Sequence, residues 1–107
     1  MESTFSSTYK FNADISGWNV ERVRNLDRTF YIATEFNANI SKWNVERVTS
    51  MQSTFYRADK FNADISGWNV SQVSNIDSAF ASAGVFNADI SKWLGFVVVV
   101  AIRFLSN

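Results

Sequence analysis

The sequence predicts an α/β solenoid: a right-handed stack of 25-residue coils, each with one short parallel β-strand and one short helix. Three observations predict this fold class. The chain repeats every 25 residues, each copy begins with alternating apolar and polar residues, and each continues with apolar residues at helical spacing. Because one strand and one helix cannot bury their apolar faces alone, successive copies must stack to form a core.

The period of 25 residues is visible as columns of large apolar residues. The clearest columns are Phe11, Phe36, Phe61 and Phe86; Ile15, Ile40, Ile65 and Ile90; and Trp18, Trp43, Trp68 and Trp93. We expect these columns to form the core of one solenoid domain. Its predicted parts are a partial N-terminal repeat (1–10), three full repeats (11–35, 36–60 and 61–85), a partial repeat (86–93) and an apolar C-terminal tail (94–107).

Each copy combines the two periodicities. The alternation in 61–66 is typical of a half-buried strand, and the Ser-Gly-Trp-Asn or Ser-Lys-Trp-Asn segment that follows indicates a turn. Val70, Val73 and Ile76 then follow one another at intervals of three, which predicts a helix. One copy earlier, this helix spans about 50–58, with Thr49 as its cap. A short repeat with one strand has the dimensions of a leucine-rich repeat, so the predicted stack is leucine-rich-repeat-like.

Composition excludes several kinds of chemistry. The 107 residues include no Cys and no His, which removes thiolate catalysis, zinc–thiolate sites and the commonest general base. Ten basic residues balance ten acidic ones, so no basic excess is present to bind a nucleic acid. The sequence contains no glycine-rich phosphate loop, no GxSxG and no HExxH. We therefore expect no enzymatic activity and no cofactor.

The polar residues of the predicted strand form the main candidate site. Since their apolar neighbours point inward, they point outward and form ladders across the stacked copies. This candidate interaction ladder consists of Asn12, Asp14, Asn37, Asn39, Asn62, Asp64, Asn87 and Asp89. Carboxylates in such a ladder can bind calcium or transfer protons. However, the second copy has Asn39 where its neighbours have Asp, which favours a structural ladder over a metal or catalytic site.

Two further groups of residues have competing interpretations. The Trp column is compatible with stacking on carbohydrate, but its fixed register with the Phe, Ile and Val columns favours a core role. One interpretation is a basic stripe on the surface, formed by Arg22, Arg24, Arg28, Arg47 and Arg57. Glu21, Glu46 and Asp27 lie beside these arginines, which indicates a solvated face of mixed charge.

The motif FNxDISxWxVxxVxxMxxxFxxA, present over residues 1–93, resembles the repeat of the BspA-like leucine-rich-repeat surface proteins, the mycoplasma-type lipoprotein repeat of unknown function. The resemblance implies a non-catalytic module for protein–protein interaction or surface display, located at the cell surface or outside the cell. The alternative is a carbohydrate- or calcium-binding surface module. Members of that family usually carry more copies, and residues 94–107 abandon the pattern, so we expect a fragment of a longer repeat protein.

The two ends of the chain carry separate predictions. Met1 already lies in the repeat register, so no signal peptide is expected in this chain. The apolar run 94–105 would span only about 18 Å as a helix, too short to cross a bilayer core of about 30 Å. It is therefore a β-rich cap, the stub of an anchor or out-of-register sequence. Open stack ends predict end-to-end self-association, and the protein partner is not identifiable.

Overall fold

The computed structural model describes residues 1–86, together with Ile90 and Trp93. Within this part of the chain there is no helix and no strand longer than an isolated bridge. The two parallel bridges are Asn25–Ser50 and Ser50–Asn75. The predicted α/β solenoid, leucine-rich-repeat-like with one strand and one helix per coil, is therefore wrong. The molecule is a compact body of 34 × 30 × 20 Å, and its described residues are turns and segments without regular secondary structure.

The segment predicted as a helix over 50–58 consists of consecutive tight turns. The N–H of Thr54 donates to the carbonyl of Met51, three residues earlier, at 3.2 Å. Ser53 and Arg57 have φ values of 54° and 53°, in the left-handed region that an α-helix excludes. Thr49 caps no helix, and its hydroxyl donates instead to the carbonyl of Arg24 in the preceding copy.

Tight turns also explain why the apolar spacing imitated a helix. The N–H of Val73 donates to the carbonyl of Val70 at 3.0 Å, and Val48 and Val45 form the same turn at 2.9 Å. Both ends of each turn are buried. A spacing of three therefore arises here because the first and last residues of a turn face one core, a pattern that the sequence shares with a helix.

Alternate N–H groups of these turns join each copy to the next. Residues that do not bond within their own turn donate to carbonyls 24 positions later. Between the second and third copies the bonds are Ser53–Asp77, Phe55–Ala79 and Arg57–Ala81, at 2.9, 2.8 and 3.1 Å. Between the first and second they are Arg28–Gln52, Phe30–Thr54 and Ile32–Tyr56, at 2.9, 2.9 and 2.7 Å. We call these sets the cross-copy rows; they pair neighbouring copies without forming a continuous strand.

The segment predicted as a strand at 61–66 has no regular secondary structure over 61–65, enters a turn at 66 and has no backbone ladder. The N–H of Asn62 donates to the side-chain Oδ1 of Asn37 at 2.7 Å, and the N–H of Asn37 donates to Oδ1 of Asn12 at the same distance. A side-chain amide thus stands where a strand would offer a carbonyl. This substitution satisfies the backbone between copies and prevents regular strand pairing.

The apolar columns form the core, as predicted. Phe30, Phe36, Phe55 and Phe61 are fully buried. The stacked rings of Phe30, near the end of one copy, and Phe36, the first residue of the next, have centroids 4.0 Å apart. The centroids of Phe30 and its counterpart Phe55 lie 5.5 Å apart. The rings therefore pack across the boundary between copies, and the copies share one core.

Candidate functional site

The candidate ladder is exposed wherever the structure describes it. Its described members are Asn12, Asp14, Asn37, Asn39, Asn62 and Asp64; Asn87 and Asp89 lie outside the described residues. The Asn half of the ladder holds copies together, since Asn12 and Asn37 each accept the N–H of the next copy. These side-chain oxygens are therefore engaged in the scaffold.

The Asp half of the ladder closes a local turn. In each copy, Oδ1 accepts the backbone N–H two residues later, and the three bonds are 2.9 Å long. The pairs are Asp14–Ser16, Asn39–Ser41 and Asp64–Ser66. Because Asn39 makes the same bond as the two carboxylates, the turn requires an acceptor oxygen and not a negative charge.

Asp14 is ionised more readily than an ordinary aspartate. Hydrogen bonds from the side chain and then the backbone of Ser16 lower the pKa of Asp14 below 3.8, the value of a free aspartate. A carboxyl group with a lowered pKa holds no proton at neutral pH and is a poor general acid. Its geometry suits a turn acceptor.

No group of three or more His, Cys, Asp or Glu side chains converges on a possible metal position among the described residues. The ladder carboxylates Asp14 and Asp64 are separated by the neutral Asn39. A role of this ladder as an exposed interaction surface stays a prediction.

The Trp column belongs to the core, as predicted for Trp43 and Trp68. Both side chains are 4% exposed, and their indole N–H groups donate to the carbonyls of Ile15 and Ile40, at 3.1 and 3.0 Å. Each indole thus bonds a carbonyl of the preceding copy, and because both side chains are buried, neither ring has an exposed face on which a sugar could stack. Trp18 differs, because 46% of its surface is exposed.

A polar groove of about 430 Å³ runs across the three full copies. Its lining residues are Arg24, Glu46, Arg47, Thr49, Asn69, Ser71 and Gln72. Two arginines of the predicted stripe, Arg24 and Arg47, come together here beside Glu46, so the face carries mixed charge. The groove was not predicted from the sequence because its lining residues belong to three different copies.

Two columns of hydroxyl-bearing residues, one of Tyr and one of Thr, were not predicted from the sequence. Tyr31 and Tyr56 stack with their ring centroids 5.1 Å apart, at the positions that follow Phe30 and Phe55. The hydroxyl of the fully buried Thr54 donates to the carbonyl of Leu26 at 2.9 Å. The signal was available, since both residue types recur at the 25-residue period.

The sequence matches the model of one known protein family. The model of the family described as "Mycoplasma protein of unknown function, DUF285" matches residues 1–101. The chain belongs to this family. The mycoplasma part of the resemblance drawn from the repeat motif is thus confirmed, whereas the family description contains no reference to BspA-like proteins.

No curated protein and no solved structure matches the chain. The description of the DUF285 family assigns no activity, so function must be argued from the molecule. Within the described residues, no helix has the length and apolar character needed to span a membrane.

Proposed function

We propose that this DUF285 chain is a non-catalytic repeat module that binds other proteins, with surface display as in the BspA-like proteins its motif resembles. The observation that carries the proposal is the polar groove, which is lined by all three full copies. A groove that crosses copies offers side chains in succession along the stack. That arrangement suits an extended segment of a partner protein.

The charges of the groove favour a particular class of partner segment. Arg24 and Arg47 both line it, and guanidinium groups bind carboxylates through paired hydrogen bonds. Glu46 adds one negative charge, and Asn69 and Gln72 add amide donors and acceptors. We therefore propose a polar peptide segment with acidic residues as the bound element.

The alternative, a calcium- or carbohydrate-binding module, has less support. Asn12 and Asn37 use their side-chain oxygens to hold the next copy, so binding a cation would cost these bonds. Trp43 and Trp68 are buried and hydrogen-bonded. These contacts leave the groove as the better candidate.

The proposal can be tested with immobilised full-length chain and a phage-displayed library of random peptides. Acidic peptides should be enriched, and the double variant Arg24→Ala/Arg47→Ala should lose them. Arg22→Ala/Arg57→Ala is the matched control, because these exposed arginines do not line the groove and their loss removes the same charge. Equal loss in both double variants, or no enrichment, would argue against the groove.

Calcium discriminates the alternative function. A ligand that binds the native state alone raises the melting temperature. We expect millimolar calcium to leave the melting temperature unchanged. A rise that is abolished by Asp64→Asn would instead support a cation site on the ladder.

A further inference from the structure

One face of the molecule, formed by residues 1–18, carries the contact groups of the inter-copy interface. Between the first and second full copies, the carbonyls of Thr54 and Tyr56 accept hydrogen bonds from the N–H groups of Phe30 and Ile32. Their counterparts in the partial N-terminal repeat are the carbonyls of Thr4 and Ser6, preceded by that of Glu2. Among the described residues, no N–H donates to these three carbonyls. This N-terminal face is therefore an unfilled row of acceptors at alternate residues.

Side chains on the N-terminal face show the same incompleteness. The indoles of Trp43 and Trp68 bond a carbonyl 28 positions earlier, but Trp18 is 46% exposed and its indole has no acceptor among the described residues. The hydroxyl of Thr54 likewise bonds a carbonyl 28 positions earlier and is fully buried. Thr4 is exposed, and its hydroxyl donates only to the carbonyl of Met1, three residues earlier, among the described residues. Trp18 and Thr4 are thus exposed at positions whose counterparts are buried against the preceding copy.

The opposite edge of the described stack carries the matching donors. The N–H groups of Ser78, Phe80 and Ser82 are the counterparts of the cross-copy donors Ser53, Phe55 and Arg57. Within the part of the chain that the structure describes, no acceptor pairs with these three N–H groups. We call this edge the donor edge. It is complementary to the N-terminal face because donors and acceptors both recur at alternate residues.

We propose that the N-terminal face binds the donor edge of a second copy of this chain, in the register that joins the repeats within one molecule. The register is a shift of four periods of 25 residues, or 100 positions. It pairs the N–H groups of Ser78, Phe80 and Ser82 of one molecule with the carbonyls of Glu2, Thr4 and Ser6 of the next, in that order.

The same shift covers the two side chains of the N-terminal face. It gives the indole of Trp18 an acceptor and the hydroxyl of Thr4 a second one beside the carbonyl of Met1, as Thr29 has two. It brings the indole of Trp18 to the carbonyl of Ile90 and the hydroxyl of Thr4 to the carbonyl of Ile76. Ile90 is buried, in the column whose carbonyls accept the other indoles. The new contact continues an interface that the chain already builds between its copies, and it is separate from the polar groove.

The contact joins two different faces, so it is head-to-tail. Each added molecule leaves one N-terminal face and one donor edge open, and the assembly grows as a linear chain unless rotation closes it into a ring. We therefore expect a mass that increases steadily with concentration.

The test is sedimentation velocity of the full chain over a hundredfold range of concentration, with the variants Thr4→Arg and Ser3→Arg. Thr4→Arg should raise the dissociation constant at least about tenfold, because Thr29 and Thr54 at the equivalent position are fully buried and a guanidinium there would be buried without a partner. Ser3→Arg is the matched control: Arg28 occupies the equivalent position and stays exposed, so association should match the wild type.

A wild type that stays monomeric throughout would overturn the proposal. Equal association of the two variants would overturn it too. Fluorescence provides a second measurement that needs no variant. The fraction of tryptophan emission quenched by acrylamide should fall with rising protein concentration as Trp18 becomes covered. A constant fraction in an associating sample would refute this register.

Discussion

Replacement of the buried Trp68 by Ala tests the core assignment most directly. The side chain is 4% exposed, its indole bonds the carbonyl of Ile40, and its ring lies 6.5 Å from that of Trp93 and 6.3 Å from that of Phe55. A buried aromatic side chain removes about 150–250 Å² from water. At about 25 cal/mol per Å² this amounts to about 4–6 kcal/mol, an upper limit because unfolded chains already bury some surface.

The expected cost of Trp68→Ala is therefore about 3–5 kcal/mol, a large part of the stability of a chain this size. Trp18→Ala is the matched control. With 46% of its surface exposed, Trp18 should contribute about half as much. Urea denaturation followed by intrinsic tryptophan and tyrosine fluorescence, at a concentration where the chain is monomeric, measures both. Equal costs for the two variants, or a cost below about 1 kcal/mol for Trp68→Ala, would refute the assignment.

Three further predictions concern the ladder. Asp64→Asn should change the free energy of unfolding by less than about 0.5 kcal/mol, because Asn39 makes the same turn bond; a loss above about 2 kcal/mol in urea denaturation would mean that the carboxylate itself is needed. Asn37→Ala should lower the free energy of unfolding by about 1 kcal/mol and speed hydrogen exchange at the backbone amide of Asn62, which donates to Oδ1 of Asn37. Unchanged exchange at Asn62 would contradict the inter-copy role of Asn37. Because the pKa of Asp14 is lower in the folded chain than the 3.8 of a free aspartate, its ionised carboxylate stabilises the fold above pH 3.8. This contribution is lost as the pH falls through the folded-state pKa. Ser16→Ala should move that pKa back up in an NMR titration, and an unmoved pKa would show that the hydroxyl is not the cause.

The sequence predicted the core well because burial leaves a direct mark on residue type. Phe36, Ile40 and Trp43 recur at fixed spacing, and all are buried. The turn that follows Ile15, Ile40 and Ile65 was also predictable from Ser and Asn chemistry. Gly17 adopts no left-handed φ, which agrees with Lys at the same place in another copy.

Secondary structure could not be predicted in the same way, because one spacing has two causes. Val70 and Val73 face the core at an interval of three in a tight turn as well as in a helix. The consecutive turns also require residues with a left-handed φ, and these are Ser53 and Arg57. Glycine at those positions would have indicated the turns in the sequence, but serine and arginine do not. The groove was equally unpredictable, since Arg24 and Asn69 meet only after the copies stack.

The cross-copy rows also govern which changes in length the chain can accept. The described contacts between neighbouring copies, which we call joints, use donors and acceptors at equivalent positions. The N–H of Phe30 or Phe55, for example, donates to the carbonyl 24 positions later. Insertion or loss of a whole 25-residue unit leaves each remaining joint chemically unchanged. An insertion of any other length between Phe30 and its acceptor Thr54 would misalign donors, acceptors and rings at once. Genes of this kind can therefore lengthen or shorten by unequal recombination in whole units, with the copy number variable and the joint constant.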